Sequence, residues 1–404
     1  MKKKNNNFKK PNIFVYWFFK TASKIYTKLY FNRKVIRNEI KKAKGPYVII
    51  ANHESQMDFM NIAACTKRRT TFIISNSFYQ SSSINPLLKA CGLIPKQQFQ
   101  TNVGDIKKMK AVIDNGYPLV IYPAGLMSEN GVPTPIPPST SKFLKWLDCD
   151  IYVAYTTGSY MTNPKWGKGK RKGTLTIDIY KFLSKEQTKD LSDQELLDLV
   201  NKELYFNEYE LQEQQMIKYK NGNDIRGLEN VLYWCPKCNN EFTMKNYSYD
   251  TMKCTNCGNE VYLDEYSFLN PKTKDDVCFK HVNVWYDKIY ENVYKEIVGK
   301  ENFGLCEDIE IEMLNYKKHC FEKVGQGKLY LSKEGFKIDS SISGEQKVIE
   351  VPIKMMPMAP FKPGKYLEIQ DGLDIYRCIF TDGQKIMKWI MAIKIFFILN
   401  NKKD

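Results

Sequence analysis

Apolar residues change their spacing several times along this chain, and each change predicts a different element. The segment YVIIA at 47–51 is mostly β-branched, follows Gly45-Pro46 and reads as a buried strand. TFIIS at 71–75, LVIY at 119–122, IYVAY at 151–155 and LTIDIY at 175–180 predict further strands. Between them lie helical patterns such as 106–115, where Ile106, Met109, Val112 and Ile113 share one face. Strands separated by helices predict an α/β unit with a mostly parallel sheet flanked by helices, over 36–228. Its last part, 185–230, is charged and helical in pattern, with Ser192 placed to cap an amphipathic stretch ending near Leu204.

The final third alternates with period two instead. Short runs at 328–332, 335–339, 347–353, 365–369 and 374–380, separated by Gly, Ser and Asp turns, predict a small β-rich domain. The most continuously apolar helix of the chain, at 384–399, follows. It suits a helix that closes the β domain; Lys388, Lys394, Lys402 and Lys403 also suit a second interfacial anchor, and we favour the closing helix. At the other end, 13–30 mixes aromatic residues with Lys on roughly separate helical faces, which fits an interfacial helix or an amphipathic helix packed on the domain.

Charge sharpens this picture. The 404 residues leave room for two or three domains, and the formal net charge is +16. Residues 1–44 hold 14 Lys or Arg against one acid, Glu39, so the rest of the chain is nearly neutral and shows no general nucleic-acid coat. The basic front would be drawn to an anionic membrane surface. The longest apolar runs, 13–19 and 395–399, are too short to span a bilayer. Lys20, Lys24 and Lys28 interrupt what would be a signal peptide, so export is not expected. Eleven cysteines, four of them in C-x-x-C pairs, fit metal ligation in a reducing compartment. These features together place the protein in the cytoplasm, peripheral on the inner face of the membrane.

Cys235-Pro-Lys-Cys238 and Cys254-Thr-Asn-Cys257 are separated by 15 residues, the spacing of a zinc ribbon. Four thiolates make a closed tetrahedral site, so the expected Zn²⁺ is structural, with Cys235, Cys238, Cys254 and Cys257 as its ligands. Ribbons also occur in nucleic-acid machinery. Here Glu241, Asp250, Glu260, Asp264 and Glu265 balance Lys237, Lys245 and Lys253, so no nucleic acid is expected as a partner.

The chemistry concentrates after the first strand, at Asn52-His53-Glu54-Ser55-Gln56-Met57-Asp58. Ligands of open α/β sheets bind beyond the carboxyl ends of the strands, where His53 stands. Asp58, opening the next helix, can accept an imidazole N–H, fix the tautomer and stabilise the imidazolium formed when His53 takes a proton. A structural His that caps the following helix is the competing reading. After the strand at 119–122 comes Pro123-Ala-Gly125-Leu-Met-Ser128, where Gly125 permits close backbone approach and free N–H groups can face an anion. Cys65, Cys91 and Cys149 have no activating neighbours and read as buried apolar residues, while His281 and His319 read as structural.

Asn-His-x4-Asp after a strand, then Gly92-Leu-Ile94, then Tyr122-Pro-x-Gly-x-x-Ser128, then a Pro-rich turn, resemble the successive blocks of the glycerolipid acyltransferase family that includes 1-acylglycerol-3-phosphate acyltransferases. The resemblance covers about residues 36–180. It implies acyl transfer from acyl-CoA or an acyl-carrier protein to a lysophospholipid hydroxyl, in phospholipid biosynthesis. His53 and Asp58 would be catalytic, with Asn52, Lys96, Pro123, Gly125 and Ser128 toward the substrates. The chain departs from the family at its phosphate contacts: Ala124, Leu126 and Met127 stand where Glu, Thr and Arg are usual, and Gln98 where Arg is common. Lys96, backbone N–H groups near Gly125, or the basic run 165–172 would have to serve instead; that run reads first as solvated and membrane-facing. The β-rich tail is similar, at fold level, to the pleckstrin-homology and GRAM-like superfold.

The expected organisation is a basic amphipathic segment at 1–35, the acyltransferase unit at 36–228, the ribbon at 229–268, and a helical linker with the β-rich domain and closing helix at 269–404. A non-catalytic lipid-binding scaffold is the main alternative function; a ribbon-based nucleic-acid binder is the lesser one.

Overall fold

The computed structural model describes residues 8–98 and 102–401. Lys2, Lys3, Lys4, Lys402 and Lys403, counted above among the basic residues, lie outside this range.

The first sheet contains β1 (Arg33–Asn38), β2 (Tyr47–Ala51), β3 (Thr71–Ser75), β4 (Ile94–Lys96), β5 (Leu119–Ile121), β6 (Asp150–Thr157) and β7 (Leu175–Leu183). Their order is β1-β7-β6-β2-β5-β3-β4. All neighbours run parallel except β6 and β7, which pair antiparallel. β2 shows why its sequence reads as unbroken apolar residues rather than alternation. Val48 and Ile50 enter one core cluster while Tyr47, Ile49 and Ala51 enter another on the opposite face, as in a sheet covered by helices on both sides. The unit begins earlier than the expected boundary at 36, because β1 starts at Arg33 and pairs with β7.

The helix Ile13–Phe31 packs on this unit. Asn12 caps it through Oδ1, which accepts from Phe14 N and Val15 N. Tyr16, Ser23, Thr27 and Phe31 are buried, and the Tyr16 hydroxyl lies 2.8 Å from Thr66 Oγ1. Phe14, Phe18, Ile25 and Leu29 are 83, 72, 56 and 62% exposed. At about 100° per residue they fall within an arc of about 60°, opposite the buried stripe. The buried stripe is thus the face packed on the unit, and the opposite face is apolar and exposed.

The charged region that follows β7 includes the helix Asp193–Glu203, opened by a capping box in which Ser192 and Glu195 satisfy each other's backbone N–H. The second sheet, β8 (Met244–Asn246), β9 (Thr251–Cys254), β10 (Glu260–Leu263) and β11 (Leu269–Pro271), is antiparallel and in the order β11-β10-β9-β8. The helix Val282–Gly299 leads into the third sheet: β12 (Leu305–Asn315), β13 (Cys320–Leu331), β14 (Gly335–Ile342), β15 (Glu345–Pro352), β16 (Phe361–Lys362), β17 (Tyr366–Asp371) and β18 (Asp374–Phe380). It is antiparallel throughout, in the order β15-β14-β13-β12-β18-β17-β16.

The last helix, Lys385–Asn401, buries Ile386 through Ile393, Ile395 and Phe396, and so belongs to the interior and not to a surface anchor. One core cluster joins it to the Cys-rich sheet, the helix Val282–Gly299 and the third sheet. Polar contacts pin the same junction. Trp285 Nε1 donates to Trp234 O at 3.1 Å, Gln384 Nε2 donates to Met244 O at 2.7 Å, and Lys388 lies 2.7 Å from both Glu241 and Glu296.

Candidate active site

Asp58 is the first residue of the helix Asp58–Cys65 and is completely buried. Its Oδ2 accepts from His53 Nδ1 at 2.9 Å, Glu54 N at 2.8 Å and Ser55 N at 3.0 Å. Its Oδ1 accepts from the Ser159 hydroxyl. The carboxylate thus closes the turn between β2 and the helix while fixing the imidazole. With Nδ1 donating to Asp58, Nε2 carries the lone pair, and it makes no hydrogen bond among the described residues. The His53 side chain is 20% exposed. Its ring stacks on Tyr122 at 4.2 Å, and its carbonyl accepts from Ser128 N at 2.9 Å. Ring and backbone are therefore both tied to the loop after β5.

That loop separates the residues expected to meet substrate. Gly125 has φ +72°, is exposed, and its carbonyl accepts from Gln98 Nε2 at 2.7 Å. Pro123 lies partly exposed beside it. Ser128 instead is buried and internally paired: its hydroxyl donates to Val132 O and accepts from Gly131 N. Asn52 is likewise buried, its amide holding Thr156 and the Glu54 carboxylate. Lys96 donates to Gln97 O at 3.1 Å, and burial lowers its pKa.

The run 165–172 is only half solvated, contrary to its sequence reading. Trp166 and Arg171 are buried, and the Arg171 guanidinium donates to Asp224 O and Ser267 Oγ. Lys165 Nζ is buried without a hydrogen-bond partner, 3.4 Å from the Phe361 ring centroid, and desolvation brings its pKa down to about 7. The remaining cations, Lys168, Lys170 and Lys172, are exposed.

Two acids that the motif reading did not single out stand behind His53. Glu54 Oε2 accepts from Tyr160 N, and both Glu208 oxygens accept from Gly158 N. Burial raises both pKa values, that of Glu208 to about 7. Glu129, next to Ser128, holds Lys394 and Tyr286 from the C-terminal part. None of these pairings is local in sequence, so the spacing of residues carried no sign of them. Cys65, Cys91 and Cys149 are buried, and desolvation raises their pKa values, that of Cys91 to about 11 and that of Cys149 to about 12. His281 pairs with Glu213 at 3.0 Å, a carboxylate far upstream, and His319 Nδ1 meets Gln80 O at 2.8 Å.

Away from this site, Cys235, Cys238, Cys254 and Cys257 bring four Sγ atoms within 4.8 Å of one another. The Cys235–Cys257 and Cys238–Cys254 pairs are both 3.7 Å apart. Tetrahedral Zn–S bonds of about 2.3 Å require S···S separations of about 3.8 Å, so the cluster has the dimensions to hold a metal ion. No helix among the described residues is long and apolar enough to cross a membrane.

No curated protein matches this sequence. Among solved structures, the 1-acyl-sn-glycerophosphate (LPA) acyltransferase PlsC from Thermotoga maritima is similar, with 17% identity and a TM-score of 0.41 over 50% of this chain and 81% of that one. Residues 32–161, which contain His53, Asp58 and the loop after β5, match the family model described as Acyltransferase.

Proposed function

We propose that the protein is an O-acyltransferase that moves a fatty acyl group from acyl-CoA or an acyl-carrier protein to the hydroxyl of a lysophospholipid, in phospholipid biosynthesis. The observation that carries this reading is His53, held through Nδ1 by buried Asp58 at 2.9 Å with Nε2 left unpaired. In this reading Nε2 removes the proton from the acceptor hydroxyl as its oxygen attacks the thioester carbonyl. Thiolate leaves, and the proton held by His53 can pass to it. The Gly125 N–H already donates to Tyr122 O at 3.0 Å and the Ser128 N–H to His53 O, so other backbone N–H groups of that loop would have to stabilise the oxyanion. The buried, high-pKa cysteines speak against a thioester on the enzyme. A mass-resolved assay with labelled acyl donor and a panel of lysolipids tests the proposal: a diacyl product that disappears in His53→Ala supports it. Lipid binding without product would favour the scaffold reading, which draws support from the paired-off Ser128 and from Met127 at the usual Arg position.

Zn²⁺ is proposed for the four-cysteine cluster, as a closed structural site. The outward stripe Phe14, Phe18, Ile25 and Leu29, with Lys24 and Lys28 exposed on the same helix, supports docking on an anionic cytoplasmic membrane face. We also propose the pleckstrin-homology likeness for the third sheet with its closing helix, on its seven antiparallel strands. We propose the domain limits read from the sequence, with β1 added to the acyltransferase unit and β11 to the ribbon.

A further inference from the structure

The C-terminal sheet reaches the acyltransferase unit beside the second sequence block. Gln97 Nε2 donates to Gly372 O at 3.2 Å, on the turn between β17 and β18. The next residue, Gln98, holds the Gly125 carbonyl, three positions beyond the Tyr122 ring that stacks on His53. Between Gln98 and the third sheet lies a cavity of about 50 Å³, whose wall includes Glu350, Met356, Met358, Gln370 and Asp371.

Three properties of this wall select a ligand. Gln370 is 5% exposed and its Oε1 has no hydrogen-bond partner, although buried amides are almost always paired. Either end of such an amide is completed by a hydroxyl, and its oxygen by an ammonium. Glu350 and Asp371 add two carboxylates at the exposed edge, and the lining contains no Lys, Arg or His among the described residues. An anion would therefore meet these two carboxylates and no cation of the wall itself, although Lys347, outside the wall, is near enough to Asp371 to interact with its charge. The volume admits a small polar head group, since a single water needs only about 10–15 Å³ of such space, and the methionines form an adaptable apolar surround.

We propose that this cavity receives the outermost polar group of the acceptor, and that this group is a hydrogen-bond donor, an ammonium or a hydroxyl, not a phosphate monoester. The inference rests on the acyl-transfer reading above. It makes the C-terminal sheet part of acceptor selection, with Gln370 as the specificity-determining residue.

The test uses the full chain and three hexanoyl lysolipids as probes: lysophosphatidylethanolamine, lysophosphatidylglycerol and lysophosphatidic acid. With an acyl-CoA donor, kcat/KM is expected to be roughly tenfold higher for the ammonium or the hydroxyl head than for the phosphate monoester, and the first two arms tell those sources apart. Gln370→Leu should raise KM for the preferred head by roughly tenfold at unchanged kcat. Asp371→Arg, at an exposed position, should shift the preference toward the phosphate monoester by a similar factor, and serves if Gln370→Leu fails to fold. A wild-type preference for the phosphate monoester, or no change in preference in the folded variants, would overturn the proposal while leaving acyl transfer intact. Should no head be acylated, calorimetric binding of the same probes decides: a donor-head preference that Asp371→Arg reverses upholds the cavity as the acyl-transfer reading falls, and equal binding ends both.

Discussion

Lys394, on the last helix, donates to Glu129 Oε2 at 2.7 Å across 265 positions of sequence. Glu129 is 4% exposed, and Tyr286 also donates to its Oε2. Burial alone would raise the Glu129 pKa, but Lys394 and Lys165 more than offset it, so the carboxyl is held below its ordinary value. The loop that touches the His53 backbone is thereby fastened to the far end of the fold.

Breaking that pair should cost stability, up to the roughly 3–5 kcal/mol of a broken buried ion pair and less to the extent that Tyr286 and Lys165 still support Glu129. Lys394→Met and Glu129→Gln are each expected to lower the melting temperature, and the double variant to lose clearly less than the two losses added together. Additive losses in a double-mutant cycle would mean that the two side chains do not interact in solution.

His53→Ala should reduce acyl transfer by about 10² to 10⁴-fold, with melting temperature and metal content at wild-type levels. Asp58→Asn can keep accepting the two backbone N–H bonds but no longer stabilises an imidazolium, so its rate should also fall. Steady-state rates alongside circular dichroism separate these losses from unfolding.

Glu208 gives a pH signature. Burial raises its folded pKa to about 7 from an ordinary 4.5. Over that interval the native state binds more protons than the unfolded chain, so stability contributed by the neutral acid is lost as pH rises from 4.5 through about 7. Glu208→Gln should keep the bond from Gly158 N and flatten the decline of melting temperature between roughly pH 5 and 8. An unaltered slope in the variant would assign the dependence to other groups.

Metal analysis should find one zinc per chain, and Cys254→Ser should release it. Structural zinc contributes on the order of 10 kcal/mol to folding of small ribbons. Since the Cys-rich sheet shares a core with the third sheet, loss of a bound zinc should lower the melting temperature of the whole C-terminal part. Zinc-free protein with the same melting temperature would refute a structural metal.

Replacing Phe14, Phe18, Ile25 and Leu29 together by Ser should weaken sedimentation with phosphatidylglycerol vesicles by roughly tenfold or more, as apolar area available for insertion is removed. The same variant should remain folded, because the opposite face carries the packing. Binding that persists at wild-type strength would place the membrane contact elsewhere.

What could be read from the sequence was local in character. β2 and β3 fall where their apolar runs predicted, and His53 meets Asp58 because five positions suffice for a strand to turn into a helix. β1 was hidden: RKVIRN is an edge strand whose middle four residues are exposed, so its side chains read as part of a basic tail. β12 offered a signal that the reading passed over, since Ile309 and Ile311 point inward between the exposed Glu310 and its acidic neighbours. The partners of Glu129, Glu208 and Gln98 lie far from them in sequence, and periodicity carries no information about such pairs.

Gln384 holds the Cys-rich sheet at Met244, while Trp285 and Lys388 hold Trp234 and Glu241 in the segment that leads into it. The Cys-rich segment therefore acts as a keystone: its apolar residues share one core with the helices Val282–Gly299 and Lys385–Asn401 and with the third sheet. Shortened versions that end before residue 382, or that omit residues 233–271, should lose the wall facing Gln98 even with every strand of the first sheet still in place.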